Sequence, residues 1–400
     1  MRFISLFAGA GGLDLGLEYA GWSCDYATDI DPLAVATLVA NKGRRTGGIR
    51  AFENARIEES DVRSLSGGDI LSKVGRARGD VQLLAGGPPC QSWSSAGRQL
   101  GLADPRGRLF EEYLRIAKQI DARWLLFENV RGLLTARGPD GIPGTALALI
   151  RDELRKAGWQ TKVNLLNAAD FGVAQRRVRL ILIGYHLGDS PNFPDRTHSK
   201  CGEWGAPWLT LGEQLSKIAP PSEDEVIRPN ETLGRQLVLV PPGKGVRSPG
   251  KAETTRPGGH WGYKQGAFVA DLNLPARTIT ANAQQDWIKD PAFGLRRLSP
   301  RECAAIQSFP ASWRFQGTRI DQYRLIGNAV PPMLAKALGA ALIATEKSTD
   351  SRLGRAIPTA SEPLPRQLQA AIEYTIREDA RNGASRRAAL PKRRPSQSAA

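Results

Sequence analysis

The sequence predicts an α/β protein built on a doubly wound, mostly parallel sheet, with a smaller, loop-rich domain beside it. Three observations point there. Short apolar runs alternate with helical periodicity from Phe3 to Tyr185, the pattern of βα units. The first run, Phe3 to Phe7, passes through Ala8-Gly9-Ala10-Gly11-Gly12 directly into a helical pattern reaching about Ala20, which is a strand, a glycine turn and a helix. From about Leu187 to Ile320 the regularity gives way to irregular Pro, Gly, Trp and Arg runs, with short strand signals at Gln236 to Val240 and Arg277 to Thr280.

The 400 residues exceed what one core usually holds, so two folded units and a tail are expected. Lys and Arg number 55 against 40 Asp and Glu, a net charge of +15, which points to a polyanionic partner, most commonly nucleic acid. Cys24, Cys90, Cys201 and Cys303 are scattered, and His186, His198 and His260 have no ligand spacing, so neither a metal site nor a disulfide framework is expected. The N-terminus runs straight into the glycine turn, and no apolar run approaches a membrane span. A cytoplasmic, nucleoid-associated protein is the expectation.

In the glycine turn, free helix N–H groups and positive-φ backbone favour a bound polar group. Glycine-rich βα turns are common, and no Lys-Ser/Thr follows to make a triphosphate loop. Asp29, closing a second strand from Ser23 to Thr28, strengthens the reading, because an acidic residue about 20 positions beyond such a turn holds ribose hydroxyls in doubly wound folds. Asp61 fits either the adenine end of that pocket or a surface charge. Val81 to Ala85 reads as a buried strand feeding Gly86-Gly87-Pro88-Pro89-Cys90, which puts Cys90 at the sheet edge where ligands bind, in a loop stiffened by two prolines. An isolated Cys in a Pro-rich turn is better read as a small apolar residue, so the rest of the chain decides. A helix to Ile120 and a strand from Trp124 to Phe127 then lead to Glu128, at the same edge. A helix at Gly144 to Ala157 and strands at Gln160 to Leu166 and Val178 to Tyr185 complete the alternation, with Arg177 and Arg179 sharing one side by period two. Ser299-Pro300-Arg301-Glu302 forms a capping box for a helix that carries Cys303 into the core. Residues 347–400 carry 11 Lys and Arg against 5 Asp and Glu and read as a basic, disordered tail with one helix from Pro365 to Arg381.

Taken in order, Phe-Ala-Gly-Ala-Gly-Gly, Gly-Pro-Pro-Cys-Gln-Ser, Glu-Asn-Val, Gln-Arg-Arg-Val-Arg, Arg-Glu-Cys-Ala-Ala-Ile-Gln-Ser-Phe-Pro and Gly-Asn-Ala-Val-Pro-Pro resemble the motifs of the DNA (cytosine-5) methyltransferases over about residues 1–346. The resemblance implies the S-adenosylmethionine-dependent methyltransferase fold. Its domains would be a discontinuous catalytic, cofactor-binding domain (1–187 plus 322–346), a target-recognition domain (188–321) and the tail (347–400). It implies Cys90 as nucleophile, Glu128 facing the target ring, and Arg177 and Arg179 supporting a flipped cytosine. Phe7, Gly9, Ala10, Gly12, Asp29, Ile30, Asp61, Val62, Pro89, Leu109 and Asn328 would line the cofactor pocket. Gln91, Ser94, Arg98, Thr278 and Ile279 would face DNA, the last two matching a short Thr-Leu element that anchors target recognition. Asp29 stands where several members have Glu, and Trp93 where Phe is frequent.

These residue types suit the chemistry. A thiolate added at cytosine C6 makes C5 nucleophilic, a carboxyl can donate to N3, and an Arg can hold O2. The reacting base has to leave the helix stack. Duplex DNA is the expected partner, with no metal and no membrane. A monomer is the default, and a cognate restriction endonuclease would act as a separate protein. The tRNA-modifying branch of the family shares these motifs, and the large basic variable region favours duplex DNA. A non-catalytic DNA-binding regulator is disfavoured by the intact Cys90 and Glu128, and a nicotinamide dehydrogenase leaves the Cys, Glu and Arg cluster unexplained.

Overall fold

In the computed structural model, residues 1–89, 109–186, 190–247, 266–348 and 358–388 are described. The large sheet contains β1 (Arg2–Leu6), β2 (Ser23–Asp29), β3 (Arg56–Glu59), β4 (Leu83–Gly86), β5 (Trp124–Val130), β6 (Gln160–Asn167) and β7 (Val178–Tyr185). Their order is β3-β2-β1-β4-β5-β7-β6, and every pairing is parallel except those of β7, which runs antiparallel to both its neighbours. Helices α1 (Gly12–Tyr19), α2 (Pro32–Asn41), α3 (Gly67–Lys73), α4 (Leu109–Ile120) and α5 (Thr145–Lys156) lie between successive strands. Alternation along buried strands supplies both faces of the sheet. Phe3, Leu83 and Leu126 enter one apolar cluster with α1, and Ile4, Leu84, Leu125 and Phe127 enter a second with α4 and α5.

Beyond β7, β8 (Lys244–Gly245), β9 (Phe268–Val269), β10 (Trp287–Asp290) and β11 (Gly294–Arg297) form a small sheet in that order over Leu237, Val240, Val269 and Trp287. Helices α6 (Leu211–Leu215) and α7 (Glu231–Val238) accompany it. The strand expected at Gln236 to Val240 is therefore mostly helical. The Asn230 side chain caps the Leu233 N–H, and Leu233 and Leu237, four apart, share the apolar cluster. The Arg277 to Thr280 strand is likewise absent, and Ala276 just before it forms an isolated bridge with Gln175.

The capping box at Ser299 opens α8 (Pro300–Ile306) as expected. Cys303, Ile306, Phe309 and Trp313 enter the same apolar cluster as α1, although composition sets residues 188–321 apart as a separate domain. Helices α9 (Arg319–Asn328) and α10 (Pro332–Ser348) come next. The stretch Arg319–Glu346 is long and apolar enough to cross a membrane by length and composition, contrary to the sequence reading, but most of it is buried in the core. Its apolarity serves packing on α1, where a methyl group on Gly16 would come 2.3 Å from the Pro332 carbonyl oxygen.

The helix expected within the tail from Pro365 to Arg381 is present, and it is docked rather than isolated. Residues 358–365 run into α11 (Arg366–Ala388), and Leu364, Leu368, Ala371 and Ile372 pack into the α4/α5 cluster. The average composition is that of a disordered segment, but Leu368, Ala371 and Ile372 form one helical stripe that can be buried, and Leu364 just before the helix joins it.

Candidate active site

β4 and β5 are parallel neighbours, with Gly86 paired to Phe127, so both chains leave the sheet at the same edge. Glu128 lies at that edge, only 9% exposed. A methyl group on Gly87 would come 3.0 Å from Glu128 Oε2, and Asn129 Nδ2 donates to the Pro88 carbonyl at 3.1 Å. The strand leading to Cys90 is thus fastened over the carboxylate. Cys90, Gln91, Ser94 and Arg98 lie outside the described residues; Pro89 is exposed.

β7 crosses beside β5 with Arg179 opposite Val130, and Arg179 Nε sits 3.0 Å from Glu128 Oε1. Burial pushes the Glu128 carboxyl above its ordinary value, with Arg179 and Arg177 opposing that shift. The result is a protonatable carboxyl beside a fixed guanidinium.

Arg177 is placed differently from the expectation that it supports the base. It is 1% exposed, and its guanidinium donates to the carbonyls of Ile279 at 2.9 Å, Gly327 at 2.8 Å and Ala329 at 2.9 Å. Burial holds its pKa far below the usual arginine value. Period two does bring both arginines near Glu128, but Arg177 turns to carbonyls that only the folded chain supplies. Thr278 and Ile279 belong to the same joint and not to an exposed face. Thr278 donates its hydroxyl to the Arg176 carbonyl at 2.8 Å, and Ile279 is 3% exposed with its N–H on Gln175 Oε1 at 3.1 Å. Gln175 Nε2 donates to Gln307 Oε1 at 2.6 Å, and Gln307 Nε2 to the Ile326 carbonyl at 2.7 Å. Sequence reasoning missed these glutamines; their only signal is polarity inside otherwise buried motifs.

The second part of the site is the β1 turn. Phe7 adopts φ 56° and Gly9 φ 55°, so a non-glycine residue is held in the left-handed region, a strain that marks functional turns. The Gly9 N–H donates to Asp29 Oδ2 at 2.8 Å and the Asp31 N–H to Asp29 Oδ1 at 2.9 Å. Asp29 is therefore fixed by two N–H groups while each oxygen keeps a lone pair. Burial raises its pKa. Nothing described lies within 4 Å of a Cβ added to Gly9, whereas one on Gly12 would meet the Val330 carbonyl oxygen at 2.2 Å. Gly9 thus faces open space and Gly12 serves packing. The Ala10 carbonyl accepts from Trp313 Nε1 at 3.2 Å. Ile30 is 61% exposed, Val62 is buried, Leu109 is half-buried, and Asn328 is exposed at the end of α9. Asp61 caps the short helix Val62–Ser64 through the Arg63 N–H at 2.9 Å and pairs with the Arg63 side chain, which lowers its pKa. An open glycine beside a fixed carboxylate at a strand end fits the ribose of S-adenosylmethionine.

Asp14, in the first turn of α1, was not singled out by the sequence. Both its carboxylate oxygens and Ser5 Oγ are buried with no hydrogen-bond partner of normal geometry among the described residues. Burial pushes Asp14 to about 7, and Glu18 likewise to about 7.

Comparison with known proteins shows the family and the fold. Residues 1–344 match the model of the C-5 cytosine-specific DNA methylase family. The chain is 30% identical to the type II methyltransferase M1.HphI of Haemophilus parahaemolyticus over 86% of this chain and 87% of that one. It is 32% identical to M.FnuDI of Fusobacterium nucleatum over 84% and 92%. Among solved structures, the S. pombe Dnmt2 methyltransferase superposes with a TM-score of 0.60 at 18% identity, over 86% of this chain and 98% of that one, and shows the same fold. This chain belongs to the C-5 cytosine-specific DNA methylase family and is a DNA (cytosine-5-)-methyltransferase.

Proposed function

We propose that this enzyme transfers a methyl group to C5 of a cytosine flipped out of a specific duplex sequence, through a covalent bond between Cys90 and C6. The observation that carries this reading is the buried Glu128 carboxyl, paired with Arg179 and roofed by Gly87 and Pro88, two residues before Cys90.

Phe7, Gly9 and Asp29 would hold S-adenosylmethionine, which would supply an electrophilic sulfonium methyl group whose sulfur leaves as a neutral thioether when C5 takes the methyl. The Cys90 thiolate adds to C6 while Glu128, kept protonatable by burial, donates to N3 and relieves the negative charge that addition places on the ring. Arg179 orients that carboxyl and presents a cation to the O2 side. Once C5 carries the new methyl group, loss of its proton to a base restores the C5–C6 double bond and expels the Cys90 thiolate. Arg177 acts as a positioning residue, joining the β7 approach to Ile279 and to the 327–329 turn.

The test is tritium transfer from labelled S-adenosylmethionine to mixed-sequence duplex DNA, wild type beside Cys90→Ser, with bisulfite sequencing of the product. Label at C5 within one repeated sequence, absent from the variant, is the expected result. Transfer to tRNA and not to duplex DNA overturns the substrate, and transfer by Cys90→Ser at the wild-type rate overturns the covalent step.

A further inference from the structure

We propose that α11 is a positioning element for the methylation reaction: it clasps the connection that leaves β5, residues 131–144, and thereby holds Glu128 and Asn129 in place at the catalytic edge. The proposal rests on the reading of Glu128 given above, and it assigns a part in the reaction to a helix outside the 1–344 family match.

The clasp is anchored first at the far end of the sheet. Trp124, Gln160 and Tyr185 share one register row where β5 and β6 begin. Gln160 Nε2 donates to the Ala360 carbonyl at 2.9 Å, and the Glu362 N–H donates to Gln160 Oε1 at 3.1 Å. Arg155 Nη1 donates to the Pro358 carbonyl at 3.1 Å, while Arg151 bonds the Glu362 carbonyl and Tyr185 the Glu362 carboxylate. These bonds fix the approach to α11. Along the helix up to Arg381, the residues withdrawn from solvent are Leu368, Ala371, Ile372, Thr375, Glu378 and Asp379, a spacing that turns one helical face to the protein.

That face covers the chain that follows the catalytic strand. β5 ends at Val130, two residues beyond Glu128, and passes at once into the short helix Arg131–Thr135, which contacts both α5 and α11. Leu133 and Leu134 of this turn are buried in one apolar cluster with Leu368. The loop then folds back through a bridge between Arg137 and Pro143, and the Ala136 carbonyl accepts from the N–H groups of Gly144 at 3.0 Å and Ala146 at 3.3 Å. Gly144 has φ 88° and precedes α5 without a side-chain cap; an added Cβ there would lie 2.8 Å from Ile372. Glycine at this position therefore both takes the left-handed backbone and lets α11 approach. Asp379 pairs with Arg137 on the same loop. Pro139 to Ile142 are exposed, so the loop is held at its base, where α11 packs.

Only Val130 separates the clasped turn from the catalytic groups. Asn129 donates to the Pro88 carbonyl and accepts the Val130 N–H at 2.9 Å, and Glu128 pairs with Arg179. Both are directional contacts of consecutive residues at one strand end, so a shift of the 131–135 turn is passed to both. Misplacing reacting groups by about 1 Å can cost about 10²-fold in rate.

The experiment uses the full chain and four variants: Arg137→Asp, Asp379→Arg, the two together, and Ile372→Asp. It reads single-turnover methylation of DNA, calorimetric affinity for S-adenosylmethionine, and hydrogen exchange of the 131–135 amides. Each single charge reversal is expected to slow methylation about threefold to tenfold and Ile372→Asp about tenfold or more, with faster exchange at 131–135. Cofactor affinity should stay that of wild type, because Phe7, Gly9 and Asp29 lie at the ends of β1 and β2, with β4 between them and β5. The double reversal restores the attraction with its signs exchanged and should regain the wild-type rate, which a general loss of stability would not allow. Wild-type methylation in variants whose 131–135 amides exchange faster overturns the positioning role. Unchanged exchange in Ile372→Asp, or a double reversal no faster than its parents, overturns the clasp. A Glu128→Gln enzyme that methylates at the wild-type rate overturns the role of Glu128 and this proposal with it; an inactive one leaves that role standing when the clasp fails.

Discussion

Arg179 Nε lies 3.0 Å from Glu128 Oε1 across two antiparallel strands of a buried sheet edge. The pair sets the protonation of the group expected to face the cytosine ring, because burial favours the neutral carboxyl and the guanidinium favours the charged one.

The first prediction concerns that balance. If Glu128 acts as a proton donor, kcat/KM should fall as pH rises through its upward-shifted pKa. Glu128→Gln, which cannot donate as an acid, should lose about 10²-fold or more in kcat and show no such limb. A pH–rate profile for both enzymes on one duplex decides it; an unchanged limb in the variant would assign the titration to another group.

Arg177 and Arg179 should separate cleanly. Arg177→Ala leaves three carbonyls without their donor in a closed interior and should destabilise the fold by about 3 to 5 kcal/mol. Arg179→Ala should cost less stability and more activity. Urea denaturation beside single-turnover methylation measures both, and equal losses of stability would contradict the assignment of Arg177 to the joint.

Two glycines of the first turn should respond in opposite ways. Gly12→Ala drives a methyl group to 2.2 Å from the Val330 carbonyl oxygen and should destabilise the fold by about 1 to 3 kcal/mol. Gly9→Ala meets open space and should cost only about 1 to 2 kcal/mol for its positive φ, while weakening S-adenosylmethionine binding at least tenfold. Calorimetry for the ligand and thermal melts for the fold distinguish the two. Normal ligand affinity in Gly9→Ala would move the pocket elsewhere.

Asp14 should make stability depend on pH near neutrality. Its folded pKa of about 7 lies above the ordinary 3.8, so the native state holds a proton that the unfolded chain releases. Its contribution is fully present below about pH 4 and is lost as pH rises through 7. Glu18 acts in the same direction, and Cys24, Asp25, Asp29 and Glu53 are further titratable groups around this cluster. Asp14→Asn should therefore stabilise the protein by a few kcal/mol at pH 8 and much less at pH 5. Denaturant midpoints at both pH values test this; a constant difference between variant and wild type would exclude Asp14 as the titrating group.

The sequence by itself determined the sheet, the family and the candidate chemistry, because these rest on local signals. Apolar runs of strand length, a glycine turn opening a helix, a capping box at Ser299 and motifs of contiguous residues are all written within a few positions. Tertiary structure alone decided which polar groups meet. Gln175 and Gln307 are 132 residues apart, Arg177 reaches carbonyls 102 to 152 residues away, and no local pattern encodes those pairings. The same holds for the docking of the C-terminal helix. The helix was legible from Pro365 to Arg381, but its apolar stripe of Leu368, Ala371 and Ile372 has meaning only against the surface that α4, α5 and the β5 connection present to it. Burial is a property of two surfaces, and a sequence read in order shows one of them at a time.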